Sequence, residues 1–228
     1  MAETDSAPDT IPVPESVPVD ERDEAGRLLR TGELRGGRFH GVFTAYGPTG
    51  LPLLRARMRA DLMHGEVRHY DDKGALVQVA EFANGVQHGV ATFYANGRPT
   101  CRMTYRAGLL DGPSAFFNDN GTVAAVFAYK AGLREGEAQF YSPQGRLVRR
   151  ETYAADRLNG PVQGFFDDGA VSERSSFLDG LQEGELRRYF PSGALMQRGV
   201  YRKGLLVEPL RTYSEAGKEI GVVIPPKG

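Results

Sequence analysis

The chain has 228 residues, a formal net charge of −1 and a sequence pI near 6.4. A near-neutral chain has no field with which to attract a polyanion, so neither nucleic acid nor an anionic membrane is expected as a partner. A single cysteine, Cys101, excludes an intramolecular disulfide, and no apolar stretch is long enough to cross a bilayer as a helix.

Residues 1–25 hold four prolines and eight acids against one base, Arg22. Such a stretch buries too little apolar surface to offset its ordering entropy, which predicts a disordered tail. Its acids and lack of an apolar segment also do not resemble a secretory signal, so the expected location is cytoplasmic.

From Gly26 the text becomes periodic. Glycines stand at 41, 65, 89, 112, 136, 160 and 184, in steps of 24 with a single step of 23. Each is followed by an aromatic (Tyr46, Tyr70, Tyr94, Phe117, Tyr141, Phe165, Tyr189), then by a second glycine (Gly50, Gly74, Gly97, Gly121, Gly145, Gly169, Gly193). Each unit closes on Met58, Phe82, Tyr105, Tyr129, Tyr153, Phe177 or Tyr201.

Asn-Gly, Lys-Gly, Gln-Gly, Asp-Gly and Ser-Gly at the second glycine are hairpin chemistry, because glycine accepts the positive φ of tight turns. The residues after it alternate with period two, as in Leu147 to Tyr153, and 24 residues leave no room for a helix beside two strands. A further turn is expected over Gly85-Val86-Gln87-His88-Gly89. Asp61 and Asp156 replace its first glycine in two units, and both should adopt left-handed geometry.

The fold class is therefore all-β: tandem antiparallel hairpins forming an elongated, twisted sheet over residues 26–221, about seven full repeats with half repeats at the ends. One hairpin cannot offset the entropy of its own ordering, so stability must come from stacking. At ~4.8 Å per strand the array should be on the order of 75 Å long. Glu208 and Pro209 interrupt the last unit, and Pro225 and Pro226 discourage further pairing, leaving residues 222–228 as a C-terminal tail.

Units such as Gly85-Val86-Gln87-His88-Gly89 followed by Phe93-Tyr94-Ala95-Asn96-Gly97 resemble the MORN-variant repeats common in bacterial proteins. The Tyr-x-Gly-x-Trp opening of the better-known eukaryotic repeat is missing, and the chain has no Trp. The resemblance implies an immunity or antitoxin-like protein that neutralises a cognate toxin by direct contact. The alternative is a scaffold or localisation module bridging proteins or a membrane surface.

Candidates for chemistry dissolve into the repeat. His40, His64 and His88 share one column, but equivalent residues in successive hairpins stand roughly 9.6 Å apart, too far for one metal. The column continues as Asp111, Glu135, Asn159 and Glu183, a polar turn position. Asn118-Asp119-Asn120-Gly121 and Asp167-Asp168-Gly169 lack the spacing of a calcium loop. No nucleophile is set beside a base. Neither an enzyme, a cofactor nor a metal is expected, and the basic clusters at Arg55, Arg57 and Arg59 and at Arg149 and Arg150 read as solvated strands beside acids. What remains is surface. Phe93, Phe116 and Phe140 precede the first aromatic by one residue, while Phe166 and Phe190 follow it by one. Opposite parity should turn all five away from that aromatic. The repeat does not demand them, so they form either a second packed layer or an exposed patch, and as the latter they are the candidate contact surface for a protein partner.

Overall fold

The computed structural model describes residues 15–226, and all of their regular structure is β. Twenty-one strand segments form one open antiparallel meander. Three strands are broken at a bulge: Leu109–Leu110 from Gly112–Phe117, Arg157–Leu158 from Gly160–Phe165, and Leu181–Gln182 from Gly184–Tyr189. Each broken strand pairs on both sides of its break with the same neighbour. Counted whole, the strands make nine hairpins, a sheet on the order of 80 Å long at ~4.8 Å per strand.

Two kinds of turn alternate. At Ala60-Asp61, Asn84-Gly85, Ala107-Gly108, Ala131-Gly132, Ala155-Asp156, Asp179-Gly180 and Lys203-Gly204, both residues have positive φ. That is the type I′ hairpin turn, whose twist matches that of its strands. Asp61 and Asp156 sit there at φ 68° and 66°, as the glycine column implies. The other turn spans four residues and needs one left-handed residue: in Gly47–Gly50, the Gly50 amide donates to the Gly47 carbonyl at 3.0 Å. The unit containing Tyr94 replaces it with a two-residue turn at Asn96-Gly97, φ 51° and 74°. Arg98 pairs directly with Ala95 there, so the loop is one residue shorter. This is the origin of the 23-residue step.

The glycines at 41, 65, 89, 112, 136, 160 and 184 are not turn residues. The turn lies before them, at Asn84-Gly85 rather than at Gly89. Each glycine instead stands in a strand opposite the closing residue of its unit, as in Gly65 with Phe82, Gly136 with Tyr153 and Gly160 with Phe177. The ladder to the preceding strand is bulged at this level, as between Ala80 and Phe82. Glycine marks bulges because they require backbone conformations closed to other residues.

The polar column is explained by the stacking of I′ turns. Gly85 donates to the Met63 carbonyl, Gly132 to Leu110 and Gly204 to Gln182, each at 2.8–2.9 Å, so every turn hangs on the previous unit. The first turn residue donates to the column side chain: Asn84 to His64 Nδ1, Ala155 to Glu135 and Lys203 to Glu183. His64 accepts a backbone proton here.

The core is a row crossing the strands rather than a layer between sheets. Ala56 pairs with Phe43 and Val67, Ala80 with Val67 and Ala91, and Ala91 with Met103. The row continues through Ser114, Phe127, Ala138 and Glu151, then Val162 with Ser175 and Leu186 with Gly199. Val67, Ala80, Ala91 and Val162 are fully buried.

The array is longer than its columns suggest. Ser16–Arg22, assigned from composition to the tail over 1–25, is a strand paired with Leu28–Arg35, and Val19 opposite Gly32 extends the core row. Averaging over 25 residues hid the alternation of Val17 and Val19. The following turn repeats Gly47–Gly50 one period earlier, with Gly26 donating to the Asp23 carbonyl at 2.9 Å. Residues 1–14 lie outside the described residues. At the other end, Glu219–Val223 pairs as far as Val223 with Leu210, two residues past the expected boundary.

Candidate binding face

Alternation in the strands gives the sheet two chemically distinct faces. The first-strand aromatics lie on one: Tyr141 Oη donates to Gln139 at 2.5 Å, and Gln139 in turn donates to Glu137 at 2.5 Å. The core row and the closing aromatics occupy the other. Phe93, Phe116 and Phe140 each stand two residues beyond a core-row residue (Ala91, Ser114, Ala138) and so share its face, as their parity requires.

Register brings these three together. Phe93 pairs with Cys101, Cys101 with Phe116, Phe116 with Ala125, and Ala125 with Phe140. Five consecutive cross-strand positions are apolar, a strip on the order of 20 Å long. The row is polar on both flanks, with His69 and Gln78 before it and Arg149, Glu173 and Arg188 after it. All three phenylalanines are half-buried. Burial pushes the Cys101 thiol up, the behaviour of a small apolar strand residue, and burial alone pushes the His69 imidazole down.

Phe166 and Phe190 do not belong to this strip. Each is the first residue of a four-residue turn, its carbonyl accepting from Gly169 at 2.9 Å and from Gly193 at 2.8 Å. Gly164 and Arg188 take the positions equivalent to Phe116 and Phe140 in those repeats. Strand alternation ends before they are reached, because the ladder shifts register between Gly164 and Phe165 and between Arg188 and Tyr189.

Two residues absent from the sequence reading complete the face. Phe127 packs edge-on against both Phe116 and Phe140, with centroids at 5.8 Å and 5.4 Å. Glu151, 7% exposed, accepts from Arg149 Nε at 2.5 Å and from Tyr153 Oη at 2.6 Å. Burial and then the bond to Glu151 push the Tyr153 phenol up to about 12. The opposing Arg134 guanidinium lies 4.2 Å from the Tyr153 ring centroid. Nothing in the spacing marks either residue, since their column reads Ala56, Ala80, Met103, Phe127, Glu151, Ser175. The only pointer is its constant place two residues before the closing aromatic. The arrangement offers an apolar contact strip bounded by an anchored ionic network.

Residues 182–203 match the family model described as MORN repeat variant. That stretch carries Gly184, Tyr189, Gly193 and Tyr201, a complete set of the columns that recur along the array. No curated protein matches the chain. Solved structures with local similarity include the GtfA/B complex bound to UDP and GlcNAc, at 10% identity over 50% of this chain and a TM-score of 0.23. Others are a mutant of S. aureus TarM with fondaparinux, alpha-GlcNAc-glycerol and UDP (13% identity, 52% of this chain, TM-score 0.26) and the TcdB2-TccC3-Cdc42 assembly (14%, 89%, 0.22). The aligned parts are 22%, 19% and 13% of those chains, and scores this low carry no argument about activity.

Proposed function

We propose that this chain is a non-catalytic protein-binding module whose partner docks on the strip centred on Phe116 and Phe140. Repeats of the MORN type generally serve interaction, and a rigid array presents many side chains in fixed register without further ordering cost. The observation that carries the reading is the run Phe93–Cys101–Phe116–Ala125–Phe140, five apolar positions flanked directly by Gln78 and His69 on one side and by Arg149 on the other. Aromatic anchors with a polar rim are the anatomy of a protein contact.

The finer reading makes the partner a toxin that this chain neutralises in the cytoplasm. It rests on the resemblance to bacterial repeat proteins. Co-expression with candidate toxins from the native host tests it, and protection must be lost with the strip.

The strip itself is tested with Phe116→Ser/Phe140→Ser. Partner affinity, with the partner identified by co-purification from the native host, should fall by about tenfold or more. Phe166→Ser/Phe190→Ser, at the turns, should leave it unchanged. Phe127 packs on both rings, so stability is measured on the same protein. If the strip variant binds as the wild type does, or if the turn variant loses as much affinity, the assignment fails.

A further inference from the structure

The opposite face carries a second row whose chemistry changes along the array. Thr44, Arg55, Arg68, Val79, Thr92, Arg102, Ala115, Val126 and Gln139 follow one another as direct cross-strand partners. Toward the C-terminal end the row becomes Arg174, Arg187, Arg198 and Arg211, four arginines on four adjacent strands, each paired with the next. All four are exposed.

Like charges placed directly opposite each other destabilise a sheet. The repeat does not call for them, since the same column holds valine, threonine and alanine elsewhere. Compensation within the chain is partial. Glu185 bridges Arg187 at 2.7 Å and also contacts Arg198, and Glu219 meets Arg211 at 2.5 Å. Arg174 has no ion-pair partner among the described residues.

We propose that this arginine ladder is a second docking surface, independent of the phenylalanine strip, for a partner helix bearing a row of carboxylates. Guanidinium groups match carboxylates as two-pronged donors. The ladder advances ~4.8 Å per strand, and carboxylates at i, i+3 and i+4 on a helix advance about 4.5–6 Å. An acidic helix lying across the strands therefore keeps pace with the arginines. An extended acidic peptide repeats its same-face side chains every ~6.6 Å and falls out of step. A polyphosphate or an anionic bilayer is a poorer match. Glu185, Glu208 and Glu219 border the ladder and the net charge is −1, so any anionic partner must be held by direct pairing with the guanidinium groups rather than by long-range attraction, which disfavours a diffuse polyanion without a matching repeat.

The full chain is titrated with a labelled synthetic helical peptide carrying glutamates at i, i+3 and i+4 on one face. Its comparator is an isomer of the same composition with the glutamates spread around the helix. The one-faced peptide should bind, with roughly tenfold or greater weakening in Arg187→Glu/Arg198→Glu. Little change is expected in Arg55→Glu/Arg68→Glu, in the same column, or in Phe116→Ser/Phe140→Ser. Arg187→Gln/Arg198→Gln serves if the charge reversal disturbs folding. Absence of binding, equal binding of the isomer, or wild-type binding by the glutamine variant overturns the proposal. So does tighter binding of a short DNA duplex or of phosphatidylserine vesicles than of the peptide. Loss of the phenylalanine strip's function leaves this result unaffected, so the two readings fail separately.

Discussion

Gly160→Ala separates the two roles glycine plays in this array. Gly160 has φ +122°, and a Cβ built there would stand 3.2 Å from Thr152 Cβ and 3.4 Å from its Cγ2. A non-glycine residue held in such a conformation costs on the order of 1–3 kcal/mol. The contact adds to this, because Thr152 lies in the neighbouring strand and its hydroxyl donates to the Pro161 carbonyl at 3.3 Å. Gly193, in a turn at φ +83°, would meet nothing within 4 Å. Gly193→Ala should therefore show only the left-handed penalty of about 1–2 kcal/mol. Gly160→Ala should cost about 3 kcal/mol, which for a chain of this length lowers the thermal midpoint by roughly 6–12 °C. Urea titrations followed by circular dichroism give both values, and exchange of amide hydrogens shows whether the loss is confined to the neighbouring hairpins, as a repeat array allows. If Gly160→Ala proves no more damaging than Gly193→Ala, the bulge is not what the glycine column maintains.

Asp61 accepts the Phe39 amide proton at 2.7 Å while holding positive φ. Asp61→Ala should cost about 1–2 kcal/mol from the lost acceptor and the poorer tolerance of left-handed geometry. Asp61→Asn should restore most of this, whereas Asp61→Gly should come out near neutral as strain relief offsets the lost bond; equal stabilities for alanine and asparagine would refute the account. The raised Tyr153 phenol stabilises the fold fully below about pH 10, and that contribution is lost as pH rises through about 12. Ultraviolet titration should show a late-ionising tyrosine that disappears in Tyr153→Phe and moves down in Glu151→Gln. A Tyr153 that ionises with the other tyrosines would contradict the buried pairing.

The hairpins were legible because turn chemistry repeats every 24 residues and tolerates few substitutes. Asp61 and Asp156 in a glycine column marked left-handed positions of a turn, and the structure adds its type and why aspartate is chosen: its carboxylate ties the turn to the preceding unit. The anchor glycines were visible but misplaced. A turn glycine and a bulge glycine leave the same mark in a sequence, and only the ladder distinguishes them. The strand at Ser16–Arg22 escaped because it stands among acids and prolines, and Val17 and Val19 are its whole apolar signal. The phenylalanine set was half legible. Phe93, Phe116 and Phe140 lie before the register shift and share one row; Phe166 and Phe190 lie after it, in turns outside that row.

Rows across the strands are harder to read than the strands themselves, and the reason is geometric. Neighbours such as Phe116 and Phe140 are 24 residues apart, with Ala125 between them from the opposite strand. A chemical cluster on a face is thus written as isolated residues at alternating intervals of 9 and 15, a pattern no local window reveals. The turns, by contrast, are local and fix the register for the whole array. That division lets the positions outside the core row vary along the array: the same frame carries phenylalanines on one face of its middle and arginines on the other face toward its end. Chemistry that departs from its own column is therefore where the two proposed contact surfaces are to be tested.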